Sequence, residues 1–459
     1  MGGTLDEGEY PQVKFNPEPS IVSGAWYSVT FNGVDRAGNP SSYDHGRLFF
    51  DNTPPRASGL YPKKGSFINV AELSYSLNED LIEGFVVWSP VNGTEVVKID
   101  MLSNELLAGT FGIGTLNGQI GLADGVVYNI EISIKDKALN ETNSTLVENI
   151  TFDVTKPEFK QVSPVASSRV NTQTVSWNVN ENLQSGKYTW IHMGGEPDPA
   201  APHEFNLSDD LLKPGFGDNS KLPSLNLVVN AMYRITLEGT DLAGNTGKKF
   251  VMSVVYDDIP PDLELVYPVN NSAVNHLDIS YSISEQLNVG EIVYTRIGGV
   301  EDPNSPVSIN LEASELETSF DQPQKTAQVP MLNDGTIYNI QLFGEDLATN
   351  NAKSNVIENV KYDITRPRIS IYYPTSNSYF MGSDINIEIS EDLKEGKMVW
   401  TRTGGLSDEV TKQKIPLYDQ YLKKGAYEKA SLPIEESLSA GVVYSLGVDA
   451  VDFAENEAE

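Results

Sequence analysis

A motif that returns five times, at the spacing of one small domain, constrains this chain more than any other feature. Its copies begin at Tyr27 (YSVTFNGVDRAGN), Tyr128 (YNIEISIKDKALN), Tyr233 (YRITLEGTDLAGN), Tyr338 (YNIQLFGEDLATN) and Tyr444 (YSLGVDAVDFAEN). In every copy the Asp follows the Tyr by eight residues, and Asp35, Asp136, Asp241, Asp346 and Asp452 are separated by 101, 105, 105 and 106 residues. The 459 residues therefore read as an array, three whole repeats flanked by two broken ones.

Three further features keep the same period. An aromatic-Asp pair opens each junction, at Phe50-Asp51, Phe152-Asp153, Tyr256-Asp257 and Tyr362-Asp363, and leads to Pro55, Pro157, Pro261 and Pro367. A segment ending in Glu runs from Leu73 to Glu79, Val175 to Glu181, Ile279 to Glu285 and Ile385 to Glu391. A Gly-Gly-x-x-Asp turn begins at Gly2, Gly194, Gly298 and Gly404, with Asn92-Gly93 as a degenerate counterpart. Boundaries at the junction Asp divide the chain into 1–51 (the C-terminal part of a repeat), 52–153, 154–257, 258–363 and 364–459, the last lacking its final strand. Met1-Gly2-Gly3 aligns with Met193-Gly194-Gly195 in the middle of a repeat, so the chain is expected to be a slice of a longer array. The lack of a signal peptide at such a start says nothing about localisation.

Inside a repeat the apolar residues alternate with polar ones, the mark of half-buried antiparallel strands. Tyr128, Ile130, Ile132 and Ile134 share one face, as do Tyr338, Ile340, Leu342 and Gly344. No stretch sustains a helical stripe, and only Leu311 to Leu316 suggests a short helix. Some seven short strands in about 100 residues predict an all-β chain, a tandem array of Ig-like antiparallel β-sandwich domains. The recurrent Tyr sits where a tyrosine corner is expected, and Trp88, Trp190, Tyr294 and Trp400 sit where such a sandwich keeps its core aromatic. With no cysteine in the chain, packing must hold these cores without disulfides.

Parity places the acids. Counting by two from Tyr233 passes Ile235, Leu237 and Gly239 and reaches Asp241; from Ile279 it passes Tyr281 and Ile283 and reaches Glu285. Both carboxylates continue the core-facing side at their strand ends, and in an Ig-like order these ends share the pole at which the junction Asp enters. Four sets follow: Asp51, Glu79, Asp136 and Asn140; Asp153, Glu181, Asp241 and Asn245; Asp257, Glu285, Asp346 and Asn350; and Asp363, Glu391, Asp452 and Asn456. Three converging carboxylates repel one another unless something compensates, and a calcium ion, which takes about 6 to 8 oxygen ligands, would do so. Equally, Asp and Asn of the Asp-x-Ala-x-Asn motif would close a turn on backbone amides, and the Glu would cap its own loop. The spacing leaves both readings open, and no EF-hand loop is present.

The aromatic-Asp-x-Thr-x-Pro junctions, the Glu-x-Leu-x-x-Gly after the Glu-ending strand and the Asp-x-Ala-Gly-Asn loop together resemble the tandem Ig-like repeats of large bacterial surface proteins and adhesins. The resemblance covers essentially the whole chain. It implies an extracellular, cell-surface stalk that acts as a monomeric rod, with calcium at some junctions and hence at Asp51, Asp153, Asp257 and Asp363. It also implies that a cell-surface glycan or protein ligand is bound by domains outside this segment. The junction logic is similar to that of cadherins, but the doubled acidic linker of cadherins is missing, which favours one ion per junction.

Composition narrows the alternatives. With 64 Asp plus Glu against 32 Lys plus Arg, the formal charge of −32 opposes binding of nucleic-acid phosphates. One calcium at each of four junctions would bring it to about −24. No apolar run is long enough to span a membrane. His45, His192, His203 and His276 fall at unrelated repeat positions, and no nucleophile elbow, zinc-protease or phosphate-loop motif occurs, so no enzyme is expected. A carbohydrate-binding or accessory region of a secreted polysaccharide-degrading protein is the competing expectation. It requires exposed aromatic platforms, whereas the recurrent rings have core parity.

Overall fold

The computed structural model describes residues 7–10, 14, 17–112, 121–220, 224–317, 319–382, 384–407, 411–431 and 438–459. The Gly-Gly turn at Gly2 and the Asp408 of the turn at Gly404 lie outside them. The chain is all-β and built as Ig-like sandwiches. In 154–257 the strands are β1 (Phe159–Ser163), β2 (Arg169–Val170), β3 (Ser176–Val179), β4 (Leu183–Gly195), β5 (His203–Asn206), β6 (Gly215–Asp218), β7 (Ala231–Asp241) and β8 (Thr246–Tyr256). One sheet has the order β1-β3-β6, the other β2-β8-β7-β4-β5. All neighbours are antiparallel except β2 and β8, which run parallel.

The same two sheets recur in 52–153 and in 258–363. In 364–459 the strand Val442–Asp452 lies at the edge of a three-stranded sheet, and Ala25–Val34 pairs with Pro40–Phe50 as a hairpin near the start. The sequence reading of seven strands misses β2. Its physical origin is Pro164, which cannot donate to a ladder. The strand ends before this proline, and the chain resumes on the opposite sheet at Arg169. The short helix is found at Ala313–Leu316, with a reciprocal capping box between Glu312 and Glu315. Among the described residues no helix is long and apolar enough to cross a membrane.

Each core fills the space between its two sheets. In 154–257, Trp177 of β3, Trp190 of β4 and Tyr233, Ile235 and Leu237 of β7 are fully buried. The aromatic at the Trp190 position meets the recurrent Tyr edge-on in every sandwich: Trp88 with Tyr128 at 6.2 Å, Trp190 with Tyr233 at 5.6 Å, Tyr294 with Tyr338 at 6.4 Å and Trp400 with Tyr444 at 6.1 Å. Such pairs add about 0.5–1.5 kcal/mol beyond their buried area. The Tyr hydroxyl accepts from the backbone amide five residues upstream in all five copies, at 2.7 to 3.1 Å. That bond is the tyrosine corner.

Candidate metal centres at the repeat junctions

The four sets of carboxylates come together as parity anticipates. In Asp51/Glu79/Asp136, Asp153/Glu181/Asp241, Asp257/Glu285/Asp346 and Asp363/Glu391/Asp452, one oxygen from each residue lies within 4.8 Å of the others. Glu79, Glu181, Glu285 and Glu391 each lie two residues past the end of their strands, and Asp136, Asp241, Asp346 and Asp452 are the last residues of theirs, almost wholly buried. The junction Asp arrives from the linker. These clusters can hold a metal ion.

The Asp of the recurrent motif also closes its own turn. Oδ1 of Asp241 accepts from the amides of Ala243 and Asn245, each at 2.8 Å, and Oδ2 accepts from Asn245 Nδ2 at 2.8 Å. Asp136, Asp346 and Asp452 repeat this arrangement, as does Asp35 in the first hairpin. The two open readings of the motif therefore share the same residues: the turn bonds fix the carboxylate that faces the cluster.

The asparagines serve as ties. Asn140, Asn245, Asn350 and Asn456 donate through Nδ2 to the backbone carbonyls of Asp51, Asp153, Asp257 and Asp363, at 3.2, 2.8, 2.9 and 2.9 Å. The amides of Asp153, Asp257 and Asp363 donate in turn to Ile68, Val170 and Val274 of the short parallel strand in the preceding repeat, each at 2.9 Å. Those three junction residues are thus pinned from both sides. At two junctions Oδ1 of the motif Asn accepts from an Asn of the preceding repeat, Asn69 to Asn245 and Asn275 to Asn456, both at 3.1 Å. Neither Asn69 nor Asn275 follows from strand parity; each comes directly after a two-residue strand that sequence reading does not resolve.

Electrostatics reflects the crowding. Burial, reinforced by the neighbouring aspartates, pushes the carboxyls of Glu79, Glu181, Glu285 and Glu391 above the usual glutamate range. Burial and Asp241 do the same to Asp153. A cation at the cluster removes this cost. The donor set fits a hard divalent ion: carboxylate oxygens only, several of them without a proton donor among the described residues.

Other acids missed by the sequence reading have structural partners. Asp198 and Asp302, the ends of two Gly-Gly turns, accept from the corner hydroxyls of Tyr233 and Tyr338 at 2.7 and 2.6 Å. Asp124 and Asp334 each grip the junction Thr of the following linker through Thr155 and Thr365, at 2.5 Å.

No family model matches the sequence, and no curated protein matches it. Among solved structures the chain is similar to a tetra-tandem repeat in the extending region of a large adhesion protein, with 13% identity, a TM-score of 0.28, and coverage of 88% of this chain and 97% of that one. It is also similar to a structure from a 1.5-MDa bacterial ice-binding adhesin, with 12% identity, a TM-score of 0.25, and coverage of 69% and 100%. A third similarity is to the fibronectin(III)-like modules of Clostridium thermocellum CbhA, with 13% identity, a TM-score of 0.24, and coverage of 45% and 94%. Likeness at this level carries nothing about what the present chain binds.

Proposed function

We propose that this chain is a non-enzymatic stalk of a cell-surface adhesin, outside the cell, made of the units 52–153, 154–257, 258–363 and 364–459 after the partial unit 1–51, and stiffened by calcium at junctions whose carboxylates are free to take it. The observation that carries the reading is the fourfold recurrence of one carboxylate triad at one place, where a linker enters a sandwich. A cluster formed by chance would not return at each junction with the same three donors. The adhesin assignment rests on the resemblance of the linked motifs to bacterial surface repeats.

The ion supplies charge neutralisation and a bridge of oxygen ligands between linker and sandwich. The chain's own groups do the rest. The junction Asp offers its side chain to the cluster, and at Asp153, Asp257 and Asp363 its backbone is held by both repeats. The motif Asp presents a second carboxylate fixed by its turn, and the Glu brings a third that burial leaves costly to ionise. Repeats of roughly 30–40 Å would give about 150 Å of reach when the junctions are stiff. The recurrent aromatics of 52–153, 154–257 and 258–363, and Trp400, are buried in the cores, with Tyr27 and Tyr444 partly buried, which counts against a sugar platform built from them. Calcium titration of the chelated chain, repeated with Asp153→Asn, tests the reading; binding that ignores the substitution at the second junction counts against it.

A further inference from the structure

The four clusters share three carboxylates but not their surroundings. At the first two junctions Oδ1 of Asp51 and Asp153 accepts from the amides of Thr53 and Thr155 at 2.9 and 3.0 Å. Oδ2 of each accepts no hydrogen bond among the described residues. At the last two, Oδ2 is already engaged by a basic side chain from the preceding repeat: Asp257 by Arg169 Nη1 at 3.5 Å, and Asp363 by Lys361 Nζ at 2.5 Å. The Oδ1 contacts are longer there, 3.4 Å from Ile259 and 3.3 Å from Thr365. The charge of Lys361 is also felt by Glu391 and Asp452, so it faces its whole triad, and that of Arg169 is felt by Glu285 as well as by Asp257.

These two residues break the repeat pattern. Arg169 stands where the other short strands have Phe67 and Ala273. Lys361 stands two residues before its junction Asp, where the second junction has Thr151; both pair with the short parallel strand, and their amides donate to Ser272 and Ser66 at 2.9 and 3.0 Å. A divalent ion beside an ammonium or guanidinium is repelled by it and loses one carboxylate oxygen to it.

We propose that Arg169 and Lys361 are built-in counter-ions that replace the divalent cation at the third and fourth junctions, so that metal binding is confined to the first two. The array then mixes two kinds of joint, one set by external calcium and one locked at any calcium level. Where free ions go rests on the calcium reading above; the counter-ion role is measured separately. The test is calcium titration by calorimetry on the full, chelated chain, with an Arg169→Gln/Lys361→Gln variant and a Thr151→Lys variant. The expected counts are about two ions for the unaltered chain, about four for the double variant and about one for Thr151→Lys. Four equivalent ions in the unaltered chain, or counts unmoved by both variants, would overturn the proposal. If no variant takes up calcium, the calcium reading itself fails, and melting in chelator decides the counter-ion role. Lys361→Gln then lowers the transition of the adjoining repeats and Thr151→Lys raises it, whereas two unchanged transitions reject the role.

Discussion

Asn350 shows how much of a junction hangs on one amide. It is buried, and its Nδ2 reaches Asp346 Oδ2 at 2.8 Å, the Asp257 carbonyl at 2.9 Å and the Ile259 carbonyl at 3.3 Å. Asn350→Ala leaves buried acceptors unsatisfied at a cost of about 1–3 kcal/mol. Scanning calorimetry should show the transition of the repeat 258–363 moving down by several degrees, with the others unmoved. Asp198 gives a pH dependence at the same scale. Burial works to raise its pKa, but hydrogen bonds from His203, Tyr233 and the Ala200 amide outweigh it and hold the carboxyl below the ordinary aspartate value of 3.8. A group lowered on folding contributes stability above its unfolded pKa and loses it as pH falls through the folded one. The repeat 154–257 should therefore lose this contribution only on acidification below about 3.8, and Asp198→Asn should flatten that part of its melting profile. A profile identical in the two proteins would refute the assignment.

At the scale of elements, β7 explains why parity was readable. Tyr233, Ile235, Leu237, Gly239 and Asp241 occupy one face, and all are buried. Gly239 is small for a reason: a Cβ there would lie 2.9 Å from both Leu183 Cδ1 and Phe159 Cζ. Gly239→Ala should destabilise the sandwich by about 1–3 kcal/mol through overpacking, read as a lower urea midpoint for that repeat. The carboxylate triads were legible because period-two patterns carry an acid from the core face to the strand end. The tie from Asn245 to the Asp153 carbonyl was not, since a side chain reaching a backbone carbonyl 92 residues away leaves no pattern in sequence. Arg169 and Lys361 escaped for the opposite reason: a search for what repeats passes over what occurs once. The two-residue strand that carries Arg169 is too short to show a period.

For the whole molecule, the repeats amount to sandwiches whose linkers are hydrogen-bonded at both ends, with acid concentrated where stiffness is decided. Removing calcium should free the first two junctions while Arg169 and Lys361 hold the last two, so chelator should lower some calorimetric transitions and leave others in place. Small-angle scattering of the full chain in millimolar calcium and in chelator tests the central claim most directly. A stalk stiffened by calcium has a longer maximum dimension in calcium and a shorter, broader distance distribution in chelator. Superimposable profiles in the two conditions would contradict it.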